Sequence, residues 1–61
     1  MITFEPFLFM PGMTINAVIR SKNAYVTGEK LDELVKLFNE ANDFKIPRVG
    51  QNFKIPVDSD L

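Results

Sequence analysis

Leu31, Leu34, Val35, Phe38 and Ala41 lie on one side of a helical winding, and Lys30, Asp32, Glu33, Lys36 and Glu40 cover the rest. Such a stripe stabilises a helix only when another element covers it. The remainder of this 61-residue chain must therefore supply an opposing apolar surface. Thr27 stands where an N-cap belongs, and Glu29 suits the positive end of the helix dipole. Asp32 and Lys36 are spaced for an i,i+4 ion pair. Asn42-Asp43 ends the winding, and Pro47 prevents its resumption.

Upstream, residues 2–10 are rich in Phe, Thr and Ile, which favour extended structure. Pro6 interrupts them, and a proline in a strand belongs on an edge. Pro11-Gly12 is a strong turn dipeptide. Thr14 then occupies a cap position before Ile15, Val18 and Ile19, the apolar face of a short helix. Residues 21–28 read as a loop, loosened by Ser21, Asn23 and Gly28. Downstream, residues 43–51 read as a connector with a turn at Val49-Gly50-Gln51. Phe53, Ile55 and Val57 alternate with Asn52 and Lys54, a period-two strand with one buried face, in which Pro56 again requires an edge. Residues 58–61 read as a polar tail that should fray. Phe44-Lys45-Ile46-Pro47 recurs as Phe53-Lys54-Ile55-Pro56, but two copies do not make a stacked-repeat architecture. The match is read as coincidence rather than as two similar extended segments side by side.

A chain of this size buries roughly 60% of the surface its unfolded form exposes, so its stability margin is narrow. With no Cys and no His, neither a disulfide nor a zinc site of the usual kind can reinforce it. Packing of its six Phe with the Leu, Ile and Val has to carry the fold, at about 25 cal/mol per Å² of apolar surface removed from water. A net charge of −1 with scattered Lys and Arg argues against a nucleic-acid partner, which needs a basic stripe. The longest apolar run, Phe7 to Met10, is too short to span a bilayer. No positive charge precedes Arg20 and no cleavage pattern follows, so synthesis in the cytoplasm without a signal peptide is expected.

The order strand, turn, helix, helix, turn, strand resembles a LysM domain. Gly12-Met13-Thr14-Ile15 occupies the position of the family's first turn, and Val18 takes the aliphatic position that follows. Leu31 through Asn42 is similar to the family's second helix. Val49-Gly50-Gln51-Asn52-Phe53-Lys54-Ile55-Pro56 is similar to its closing segment, with Val49 where Pro is usual. The likeness covers residues 7–57. It implies an α+β fold, LysM-like βααβ, with a two-stranded antiparallel sheet and two helices packed on one face, over a single domain at 1–57 with a tail at 58–61. Two features depart from the family. Met13 stands where an acidic residue is usual, and the loop between the helices is longer. Either Asn39 or Asn42 could match the family's Asn.

Three classes of function follow. Catalysis is the least expected, because Ser and Thr lack an obvious base and Glu29, Asp32, Glu33 and Glu40 belong to a solvated helix face. No cofactor is expected, and Asp58 and Asp60 would hold a hard cation only weakly. By resemblance, a peptidoglycan site would lie between Gly12, Met13, Thr14 and Ile15 on one side and Phe44, Ile46 and Pro47 on the other. Met13, the lack of Trp and the single copy count against it. The favoured expectation is a non-catalytic assembly module, since LysM-like domains also occur as small free-standing proteins of bacteriophage tails, the "tail protein X" type. Phe4, Phe7, Phe9, Met10 and Met13 exceed what so small a core can absorb, and surplus apolar surface marks protein interfaces. Other tail or baseplate proteins are then the expected partners, and the virion the expected destination.

Overall fold

The computed structural model describes all 61 residues, in the order β1 (Ile2–Leu8), α1 (Ile15–Lys22), α2 (Gly28–Ala41) and β2 (Asn52–Asp58). The strands pair antiparallel, with Ile2 opposite Asp58 and Phe7 opposite Phe53. The helices pack on each other and on β2. β1 reaches the core only through the side chains of Ile2 and Phe7. This is the βααβ arrangement of the α+β class that the sequence implies.

Local chemistry explains most boundaries. The Thr14 hydroxyl accepts from the Ala17 amide at 3.2 Å and opens α1. That helix runs on through Ser21 and Lys22, which the sequence assigned to a loop. The Ser21 hydroxyl donates back to the Val18 carbonyl at 2.8 Å, so the residue joins the winding instead of loosening it. Thr27 has a cap's extended backbone but forms no capping bond, and Gly28, the first residue of α2, is left-handed (φ +66°). Asp32 and Lys36 are not paired; on this face Lys30 contacts Glu33 instead. Both turns are type II. Met13 donates to the Met10 carbonyl across Pro11-Gly12, and Gln51 to the Arg48 carbonyl across Val49-Gly50. Gly12 (φ +81°) and Gly50 (φ +87°) supply the positive φ that this turn needs at its third residue.

Val18, Ile19, Leu34, Phe38, Phe53 and Ile55 form the core. The Phe38 and Phe53 rings lie 5.9 Å apart, and Phe9 meets Phe53 edge-on at 6.3 Å. The repeated tetrapeptide has no common structural role. Phe53 and Ile55 are buried, whereas Phe44 and Ile46 are more than 70% exposed and Phe44 is left-handed (φ 56°).

Each helix ends on an asparagine that is bonded to β2. Asn23 donates to the Ile19 carbonyl (2.7 Å) and the Pro56 carbonyl (3.0 Å), and its side-chain oxygen accepts from the Asp58 amide (2.8 Å). Asn42 donates to the carbonyls of Phe38 (2.8 Å) and Lys54 (2.9 Å) and accepts from the Lys54 amide (2.9 Å). Together they satisfy every backbone group of Lys54, Pro56 and Asp58 that points away from β1, save the Asp58 carbonyl, which accepts from Leu61. Pro56 has no amide to satisfy. The outer edge of β2 is closed.

The C-terminal residues, read from the sequence as a fraying tail, are bonded to the start of the chain and to α2. Asp58 belongs to β2, and Ser59 donates from both its amide and its hydroxyl to the Met1 carbonyl. The Asp58 carboxylate meets Lys30 at 2.7 Å and accepts from the Asp60 amide at 3.0 Å. The hydrogen bond from Lys30, then that from the Asp60 amide, holds its pKa below the usual carboxylate range. A depressed native pKa adds stability above the unfolded value, about 3.9, and that stability is lost as the pH falls through the native value. Thermal unfolding followed from neutral pH downward should therefore show a midpoint that drops below about pH 4. In Asp58→Asn this acid limb should flatten; an unchanged limb would assign it to other carboxylates.

Candidate functional site

β1 is the opposite of β2 in its exposure. Strand residues direct both backbone polar groups to the same side and alternate along the chain. Because Lys54, Pro56 and Asp58 face their asparagines, it is Phe53, Ile55 and Val57 that face β1, bonded to Phe7, Glu5 and Thr3. Phe9 continues the ladder, donating to Gln51 and accepting from Gly50, both at 2.9 Å. The backbone groups of Ile2, Phe4, Pro6 and Leu8 are consequently directed outward, and no other element approaches them. Pro6 lies on this open side, where its missing amide breaks no ladder bond.

Side chains on this strand divide likewise. Phe4, Leu8 and Met10 are about 45% exposed, and Met13 follows at 42%. Phe7 and Phe9 are half-buried against the core, so these two interface candidates turn inward while Phe4, Met10 and Met13 face solvent. Phe4 and Pro6 form a shallow concavity of about 580 Å³ with Asn52, Phe53 and Lys54. The sole charge of β1, Glu5, is engaged by Lys22 at 3.2 Å.

The residues proposed for a glycan are divided. Gly12, Met13 and Thr14 line a hollow of about 340 Å³ with Phe7, Ala17, Val18 and Ser21. Ile15 is half-buried against the core. Phe44, Ile46 and Pro47 lie outside that hollow, the first two with Val49 as exposed apolar residues of the connector. The hydroxyls at the hollow are already used, Thr14 as the cap and Ser21 toward Val18. Asn42, rather than Asn39, makes the structural bonds to β2, a role invisible without the position of that strand. No group of three or more acidic residues gathers to hold a metal ion, and no helix is long and apolar enough to cross a membrane.

A third concavity, about 370 Å³, is polar and lies between the end of α2 and the start of β2, where Asn42, Asp43, Lys45, Gln51 and Lys54 meet. Its charged side chains are solvated, and none is held in a fixed pair with another. Comparison with protein-family models, curated proteins and solved structures returns no match.

Proposed function

We propose that the chain is a non-catalytic assembly module of LysM-like architecture, a structural component of a larger protein body such as a phage tail or baseplate. The observation that carries this reading is the imbalance of apolar surface. Ten large apolar side chains stand exposed against six in the core, in a domain too small to spare them. Several fall in two stretches of sequence, Phe4 and Leu8 on β1 with Met10 just beyond it, and Phe44, Ile46 and Val49 on the connector. Grouped apolar surface of this kind suits contact with a neighbouring subunit.

The second reading is binding of peptidoglycan, an N-acetylglucosamine polymer. The hollow beside Gly12, Met13 and Thr14 favours it, and the occupied hydroxyls and the absence of Phe44, Ile46 and Pro47 from that hollow's lining weigh against it. Sedimentation with purified peptidoglycan separates the two. The assembly reading expects the chain to stay in the supernatant and to become more soluble when Phe4 and Met10 are both replaced by Ser. Retention on the polymer that Met13→Lys abolishes would instead establish the glycan reading.

A further inference from the structure

We propose that two copies of this chain pair through their β1 strands, antiparallel and centred on Phe4, joining two small sheets into one of four strands. The inference rests on the assembly reading and names the first neighbour as a second copy. Its starting point is the asymmetry of the edges. Asn23, Asn42 and Pro56 close β2, while Phe4 offers both an amide and a carbonyl outward from β1. Natural edges are commonly guarded by charge or by proline; Pro6 withholds one donor from this edge and leaves the groups of Ile2, Phe4 and Leu8 open. Here Glu5 is drawn to Lys22, and no other charge stands on the strand.

The strand's own residues select a register. Centred on Pro6, the two prolines would meet at the two-fold axis, where neither has an amide to give. Centred on Glu5, two carboxylates would stand directly opposite in the close, non-hydrogen-bonded position, which is repulsive. Centred on Thr3, the strands would overlap only from Met1 to Glu5, and Phe4 would face the partner's Ile2 instead of its Phe4. Centred on Phe4, the two Phe4 residues exchange both backbone bonds, and each Ile2 amide reaches the partner's Pro6 carbonyl. Glu5 then faces the partner's Thr3. Opposite residues share a face, so the two exposed Phe4 rings come side by side, with Cβ atoms about 5.5 Å apart. The proline falls where its missing donor would have met only the partner's Ile2 carbonyl at the rim. Proline and charge thus remove two registers, and overlap removes a third.

Sedimentation equilibrium over a concentration series, combined with NMR on a mixture of isotope-labelled and unlabelled chain, tests this. The expected result is a mass rising toward that of two chains. With it should come Phe4 amide exchange slowed at least about tenfold at high concentration, and an Hα–Hα contact between Thr3 and the partner's Glu5. Synthetic chain N-methylated at Phe4 should remain a folded monomer, since the methyl removes the central donor without touching the core. Phe4→Glu, which places like charges at the axis, should do the same. A dimer indifferent to both changes, or a single-chain mass at millimolar concentration with freely exchanging Phe4, overturns the pairing. If that monomer also ignores peptidoglycan, the assembly reading stands with a different neighbour; if it binds the polymer, both fall.

Discussion

Asn23→Ala is expected to leave the domain largely unfolded at 37 °C. The side chain is 1% exposed and makes three hydrogen bonds, to α1 and to two residues of β2. Its removal strands the buried Asp58 amide and Pro56 carbonyl, at about 1–3 kcal/mol for each group left without a partner. The total, about 2–6 kcal/mol, compares with about 3–9 kcal/mol for the whole stability of a chain this long. Asn23→Asp should be no better, because a carboxylate cannot donate to either carbonyl and would sit beside Asp58. Asn42→Ala removes a geometrically similar set, yet two of its bonds, those to Lys54, are open to solvent, so water can replace them. Its cost should be nearer 1 kcal/mol. Urea unfolding of both variants decides the matter. Equal losses would mean that burial is not what makes Asn23 indispensable.

Phe38→Ala should be comparably severe, about 3–5 kcal/mol. Phe38 is 2% exposed at the contact between α2 and β2, where its ring lies 5.9 Å from that of Phe53. Removing it leaves a cavity that two short helices and two strands can only partly collapse. Phe38→Leu keeps much of the volume and should lose less. Phe44→Ala is the matched control. It removes the same side chain from an exposed position and should change stability by no more than about 0.5 kcal/mol. A large loss at Phe44 would mean that the connector is packed more firmly than its exposure indicates.

Much of this fold was legible because its signals are local. The stripe from Leu31 to Ala41, the Thr14 cap, both turns and the alternation of Phe53, Ile55 and Val57 depend on residues a few positions apart. What escaped depends on distant partners. By propensity Asn23 is a loop former, and nothing near it in the chain announces bonds to Pro56 and Asp58, 33 and 35 residues away. Asp58 read as the start of a loose tail because its partner, Lys30, lies on α2. Thr27 misled in the other direction, since a cap needs a backbone path that Gly28 does not follow. The candidate surfaces were half legible. An excess of Phe and Met near Phe4 can be counted in the sequence, but which of them turn inward follows from strand pairing, which half-buries Phe7 and Phe9 and leaves Phe4 and Met10 outside.

The asparagine bonds also bear on the order of events during synthesis. Both helices are finished by contacts with the element that leaves the ribosome last of the four. Until that segment emerges, α1 and α2 have neither a floor for their apolar sides nor acceptors for Asn23 and Asn42. Nascent chain halted before Asn52 should therefore be open to proteases along its whole length, and protection should arrive in one step as the final strand docks.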